Sequence, residues 1–390
     1  MQTEAICLLD TIAVLESFMD SHEEIRLYGA GYYLNLFLQE VVKLNREYLK
    51  KIKCIMVSNI AGNPEVIKGI PVMVYRNAGL KKGDVVLLTL GARYVDEVCN
   101  LLDEYTGRSC IVQLDFNVFY ERAYYEVKES IQPLLDRFPE HLLCLNEPAI
   151  SNKIMAWTCW WQGVEKAPDI VKACIESQRR NIPEGVRHVI ITEENYRDYI
   201  TLPAYIIEKV KSGDIGLPHL ADIIRVNLLY KYGGFWMDAE VLVLEPIPKD
   251  ILGYPIYTRN LPERQFYTNA MWAIGFLYAE PGSRLFHFLS ESFFYYFSVH
   301  ERLKYYFTLD YMIAVACHVF SEVEEQFKSV PYNNDKAFEL EKHLLENFEQ
   351  EKYDSYIRGT YIQFLSHKLE WVGKKITEGT IYEHILKSYL

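Results

Sequence analysis

The chain has 390 residues, 50% of them apolar and 24% charged, with a formal net charge of −12. At roughly 100–200 residues per domain, that length predicts two globular domains. The acidic balance excludes nucleic acid as a partner, since that needs a basic face to neutralise phosphates. Residues 1–20 read as a short amphipathic helix. A strand over 24–28 follows, then a tight turn at Gly29-Ala30-Gly31 and helical character over 34–42. Further strands are predicted over 52–57, 84–90 and 110–114, with a helix from Tyr94 to about Tyr105 between the last two. Strands alternating with helices imply a parallel sheet covered on both faces.

Residues 118–137 suggest a helix leaving this unit, and 138–148 a linker. A second α/β pattern begins near Lys153, with strands over 154–157, 187–191 and 235–237 and helices near 168–179 and 218–231. Residues 284–320 are dense in aromatics, as in Phe293-Phe294-Tyr295-Tyr296-Phe297, and read as a helical core face. The expected organisation is a Rossmann-like N-terminal domain over 1–118, a helix and linker over 119–150, and a second domain over 151–390 with a C-terminal helical extension.

The most informative segment runs from Leu220 to Glu240. Asp222, Arg225 and Leu229 are spaced to share one helix face. A charged pair on a helix as apolar as this one is costly to bury without partners. Gly233-Gly234 stops the helix and permits positive φ or close backbone packing. The short strand Phe235-Trp236-Met237 then delivers Asp238 and Glu240. Carboxylates at i and i+2 of a strand point the same way and can share one hard divalent cation. Mn²⁺ or Mg²⁺ carrying a diphosphate suits such a site, because these ions take few protein carboxylates and complete their shell with phosphate and water.

This segment resembles the signature of the capsular polysaccharide synthesis family of glycosyltransferases, related to the yeast initiating α-mannosyltransferases and the clostridial glucosylating toxins. The resemblance extends through Trp157-Thr158-Cys159-Trp160-Trp161-Gln162-Gly163, Asn181-Ile182-Pro183, Ile191-Thr192-Glu193-Glu194-Asn195-Tyr196, Asn269-Ala270-Met271, Pro281-Gly282-Ser283 and Asp310-Tyr311. It covers residues 151–330, with Ser366-His367-Lys368-Leu369 near the C-terminus. It implies an α/β fold, a GT-A type glycosyltransferase domain preceded by the smaller Rossmann-like parallel-sheet domain. It also implies retaining, metal-dependent transfer of a hexose or N-acetylhexosamine from a nucleotide-sugar donor, with UDP the favoured nucleotide. The implied acceptor is a glycan or lipid-linked oligosaccharide.

By the same resemblance, Asp238 and Glu240 hold the metal, with His367 as a third ligand. Relatives more often carry Asp or Thr at the position of Glu240, which makes Asp238 the safer ligand. Asp222 and Arg225 grip the donor sugar and diphosphate, Lys368 reaches the diphosphate, and Lys374 and Lys375 are weaker substitutes for it. Trp157, Trp160, Trp161 and Gln162 border the base, where an aromatic can stack on uracil. Asn195 meets base or ribose, Asn269 donor sugar or acceptor, and Asp310 orients the acceptor hydroxyl. With no protein nucleophile evident, front-face attack by the acceptor hydroxyl is the expected mechanism.

Gly29-Ala30-Gly31 resembles the opening of a dinucleotide site, but Leu34 stands where the third glycine belongs. The acidic ribose ligand expected about 20 residues on is also absent. A nucleotide-sugar oxidoreductase or epimerase is therefore the rival reading, and a non-catalytic glycan-assembly partner the third. The eight cysteines form no CxxC pair, and most sit in apolar runs, as buried thiols of a reducing compartment do. With no signal-like start and no run near ~20 apolar residues, a cytoplasmic protein is expected. That reading leaves room for peripheral contact with the inner face of the membrane and for a homo-oligomer through the N-terminal domain.

Overall fold

The structure is a computed structural model describing residues 7–60, 62–91, 94–138, 145–149, 153–262, 268, 271–369 and 378–390. The chain divides into two compact units, Met1–Ala123 and Tyr124–Leu390. Both are mixed α/β, the first with a sheet that is almost wholly parallel and the second with a mixed sheet.

In the first unit, β1 (Cys7–Leu9), α1 (Ile12–Ser21), β2 (Ile25–Tyr28), α2 (Tyr32–Leu44), β3 (Ile52–Val57), β4 (Val66–Ile67), β5 (Ile70–Val74), β6 (Val86–Leu88), α3 (Val95–Thr106) and β7 (Ile111–Leu114) follow in order. The sheet runs β1-β7-β6-β2-β3-β5-β4, and only the β4–β5 pair is antiparallel. Alternation along the strands fills two cores, as a parallel sheet buried on both faces requires. Ile55, Val57 and Leu87 join Phe18, Phe37 and Leu38 on one side, while Cys54, Met56, Val86 and Leu88 meet Val98 and Leu102 on the other.

Two expectations change here. The apolar run at Cys7 is a strand, not the start of a helix, because it pairs in parallel with β7; α1 begins only after Thr11, whose side chain caps the Val14 amide. Residues 70–74, not foreseen as a strand, form β5 despite Pro71, because β5 sits near the sheet margin with only a two-residue strand outside it.

The unit boundary falls within α4 (Asn117–Ser130). The second unit continues with α5 (Gln132–Leu135), β8 (Met155–Cys159), α6 (Asp169–Asn181), β9 (Arg187–Ile191), α7 (Ala204–Ser212), α8 (Leu217–Tyr232), β10 (Gly234–Met237), β11 (Val241–Val243), β12 (Ile256–Thr258) and β13 (Phe276–Ala279). It closes with α9 (Arg284–Val299), α10 (Thr308–Val319), α11 (Ser321–Ser329), α12 (Gln350–Ile357), β14 (Ile362–Phe364) and α13 (Ile381–Tyr389). Its main sheet runs β12-β13-β10-β8-β9, with β8, β9 and β10 parallel and β12 and β13 antiparallel. A small second sheet pairs β11 with β14.

The aromatic stretch is core, with Phe286, Phe288, Phe293, Phe294 and Phe297 all buried. Helix α8 is buried from Leu220 through Tyr230 except for one partly exposed position, and this explains its lack of a polar face. It is anchored by Asn227, whose Oδ1 accepts from Asn146 Nδ2 at 2.7 Å and Ser290 Oγ at 2.8 Å. At its end Gly233 and Gly234 take φ of 62° and 88°, and a Cβ on Gly234 would lie 2.0 Å from the Met155 carbonyl oxygen. Only glycine lets α8 turn directly into β10 against β8.

Candidate active site

Helix α8 and the end of β10 bring Asp222, Arg225 and Asp238 together. Arg225 is 3% exposed, so its charge requires partners. Its Nη1 lies 3.1 Å from Asp222 Oδ1 and its Nη2 2.7 Å from Asp238 Oδ1. The guanidinium also sits 4.9 Å from the centre of the Trp236 ring, and Trp236 Nε1 donates to the same Asp238 oxygen at 2.7 Å. Oδ2 of Asp238 has no hydrogen-bond partner among the described residues, nor has the buried Arg225 Nε. Gly275 makes room for that carboxylate, because a Cβ there would stand 2.8 Å from Asp238 Oδ2.

Asp238 and Glu240 do not lie on a strand as the spacing implied. β10 ends at Met237, and Asp238 begins a turn closed by the Val241 amide donating to the Asp238 carbonyl at 2.9 Å. The two carboxylates consequently serve different partners. Glu240 Oε1 takes the His367 amide at 2.7 Å and contacts His367 Nδ1 at 2.6 Å. Asp238, Glu240 and His367 thus lie on one turn and the segment beside it. Among the described residues, however, no three His, Cys, Asp or Glu side chains converge as a metal-holding group. The two carboxylates are oxygen donors of the kind that Mn²⁺ and Mg²⁺ take, while the imidazole is spent on Glu240.

Burial raises the Asp222 carboxyl to about 7, with the charges of Asp238 and Asp310 adding and Arg225 opposing. Burial likewise raises Asp310 to about 6, although Trp272 Nε1, donating to its Oδ1 at 3.0 Å, favours the charged form. The site thus concentrates acidic groups around one buried guanidinium, with Asp222 and Asp310 buried and Asp238 and Glu240 partly open to solvent.

The model of the capsular polysaccharide synthesis protein family matches residues 111–385. The chain belongs to that family. No curated protein matches it.

Beyond this centre, several residues expected to contact the donor in this capsular polysaccharide synthesis protein have other duties. Trp157 is fully buried between Tyr199 and Tyr232, and its Nε1 donates to the Gly233 carbonyl at 3.0 Å. It locks the α8–β10 corner and presents no face for a base. Asn195 spends both ends of its amide on its own loop, accepting from the Thr192 amide and donating to the Ile190 carbonyl, each at 2.9 Å. Trp161 stacks tilted on Tyr196 at 5.2 Å, and Gln162 beside it is exposed. Trp160 lies edge-on to His367 at 5.6 Å. Lys368 is exposed next to His367. Asn269, Lys374 and Lys375 lie outside the described residues.

Sequence reasoning passed over the supports of the acidic turn. Trp236, named only as part of the strand, holds Asp238 directly. Its position two residues earlier on a strand, hence on the same face, was the available signal. Gln178 on α6 is fully buried, and its Nε2 donates to the carbonyls of Asp238 and Val241 at 2.9 and 2.8 Å, clamping the turn from both sides. Its Oε1 accepts from Thr158 Oγ1 at 2.7 Å, and that oxygen lies 2.9 Å from His188 Nε2. Burial holds His188 down at about 4, so the chain ends on a neutral ring.

Proposed function

We propose that the chain is a retaining glycosyltransferase of GT-A type, moving a hexose or N-acetylhexosamine from a nucleotide-sugar, UDP-linked by preference, to a glycan or lipid-linked oligosaccharide. The observation that carries the reading is the shared use of Asp238. One oxygen is fixed by Arg225 and Trp236, and the other, without a hydrogen-bond partner among the described residues, lies where the missing side chain of Gly275 gives it room.

Asp238 and Glu240, with His367 against Glu240, would hold Mn²⁺ or Mg²⁺. The bound ion would neutralise charge developing on the departing diphosphate. Arg225 supplies a buried cation beside it, oriented by Asp222 and by the Trp236 face, with its Nε still to be satisfied. Lys368 adds a flexible cation at the exposed rim. Asp310 is fixed by Trp272 and would orient the acceptor hydroxyl. The acceptor oxygen attacks the anomeric carbon from the face that the diphosphate leaves. The diphosphate oxygen takes the hydroxyl proton, so no protein nucleophile is needed.

The chain would act at the cytoplasmic side of a membrane carrying its acceptor; among the described residues no helix is long and apolar enough to cross one. The rival oxidoreductase reading has no observation in its favour. Gly29, at φ 112°, is demanded by packing, since a Cβ would lie 2.6 Å from the Thr89 carbonyl oxygen.

The test is incubation of the purified chain with individual UDP-sugars and Mn²⁺ in the absence of acceptor. The reading expects slow release of UDP from one or two donors, abolished by chelator and by Asp238→Ala. Release indifferent to both would remove the metal role, and release from no nucleotide-sugar would remove the function.

A further inference from the structure

Among its described residues the second unit carries a groove that the site above does not use. Its volume is about 440 Å³, within the range of small-ligand sites. It is lined by Glu126 and Glu129 of α4, Tyr296 of α9, and Arg302, Lys304 and Tyr305 of the segment leading into α10. We infer that this groove binds sugar residues of the acceptor glycan that lie away from the reacting hydroxyl. This rests on the transferase reading.

Three observations carry the assignment. First, the lining matches a pyranose. The partly exposed Tyr305 ring offers a surface for the apolar C–H face of a sugar, and carboxylates, a guanidinium and an ammonium offer acceptors and donors for its hydroxyls. Second, both cations of the lining are already paired. Lys304 is paired with Glu126, and Arg302 Nε lies 2.6 Å from Asp214 Oδ1. A diphosphate or a polyanion would find these cations already neutralised, whereas a polyhydroxylated ligand gains from polar groups held in place. The groove is also preformed. Tyr305 donates to Glu126 at 2.5 Å, and Tyr296 donates to the Arg302 carbonyl at 3.2 Å while its ring packs 4.4 Å from His300.

Third, the groove adjoins the reaction centre through a single peptide link. Tyr305 lines it, and the ring of the next residue, Tyr306, sits 5.3 Å from that of His219, which lies one helical turn before Asp222 on α8. The Tyr306 side chain is 61% exposed, so its ring presents a surface to a passing chain of sugars. A glycan with one sugar in the groove would run across Tyr306 toward Asp222 and Asp238.

The experiment is saturation-transfer NMR of the whole chain with tetrasaccharides of glucose, galactose, mannose and N-acetylglucosamine, without donor or metal. Binding of at least one, weakened fivefold or more by both Glu129→Ala and Tyr305→Ala, is the expected result. Glu129 is exposed, so its variant keeps the fold if Tyr305→Ala does not; an unchanged melting midpoint checks each. Wild-type protein that binds none of the four, or variants that bind as wild type does, overturns the groove. Donor hydrolysis by the wild type is read separately. Hydrolysis without saccharide binding sinks the groove alone, and absence of hydrolysis sinks the transferase reading on which it rests.

Discussion

Arg225 and Trp236 converge on one oxygen of Asp238, each donating to Oδ1 at 2.7 Å, and the guanidinium lies over the indole whose N–H shares that acceptor. One carboxylate, one cation and one aromatic ring are thereby fixed as a unit, with Asp222 closing the far side. A carboxylate pinned through one oxygen is oriented without being fully consumed.

The buried guanidinium is the keystone of stability as well as of chemistry. Arg225→Ala leaves the buried Asp222 and the partly exposed Asp238, 39% accessible at its side chain, without their shared cation. Removing one member of a fully buried cluster costs about 3–5 kcal/mol, and the exposure of Asp238 lowers the expected loss to about 2–3 kcal/mol. Urea denaturation should show that loss, and a change under about 1 kcal/mol would mean that water already screens the pair.

Gln178 offers a cleaner separation of support from contact. Gln178→Met keeps the side-chain length but strips two hydrogen bonds from the carbonyls that flank the acidic turn. Unfolding should become easier by about 1–3 kcal/mol, because buried carbonyls lose their donor. The Mn²⁺ concentration for half-maximal donor hydrolysis should rise about tenfold, as for other groups that orient metal ligands. An unchanged Mn²⁺ requirement with the stability loss present would leave Gln178 a purely structural residue.

The α8–β10 corner was legible in the sequence because everything that makes it is local. The Asp222–Arg225 spacing, the Gly233-Gly234 stop and the short strand to Asp238 lie within one continuous stretch, and the structure realises each as a contact. What was not legible is non-local or depends on termination. Asp238 is tied to the residue that precedes β13, its amide donating to the Gly275 carbonyl at 2.8 Å, a partner 37 residues away that local spacing does not reveal. Gln178 reaches the turn from 60 residues upstream. Trp157 and Asn195 carry the right chemistry for a base or ribose, yet their polar atoms are committed to Gly233, Thr192 and Ile190. β5 was missed because Pro71 argues against a strand unless the sheet margin is known.

Stability should respond to pH through the two buried acids. Asp310 titrates at about 6 and Asp222 at about 7 in the folded chain, both raised above the ordinary 3.8 by burial. Between about pH 4 and those values the folded state holds protons that the unfolded state has released. Their contribution is therefore complete below pH 4 and lost as pH rises through 6 and 7. Asp310→Asn keeps an oxygen for Trp272 Nε1 but removes the titration. Denaturant unfolding at pH 4.5, 5.5, 6.5 and 7.5 should show a shallower decline for this variant than for the wild type. Parallel curves would mean that Asp310 is ionised throughout.

His367 bears on Glu240 through both its backbone amide and its ring. In His367→Ala only the amide contact survives, so Glu240 should remain placed but lose its orienting ring. Manganese-dependent donor hydrolysis should fall about 10–100-fold, the usual cost of disturbing a ligand set, with the melting midpoint changed by only a few degrees. Full activity in this variant would exclude His367 from the metal centre.

The central claim is tested most directly by a crystal of the chain grown or soaked with UDP and Mn²⁺, with data collected at the manganese absorption edge. The account predicts an anomalous peak within coordination distance of Asp238 and Glu240, bridged to the diphosphate, with Arg225 beside it. A diphosphate bound elsewhere, or a bare turn with Asp238 held only by Arg225 and Trp236 at saturating ligand, would contradict it.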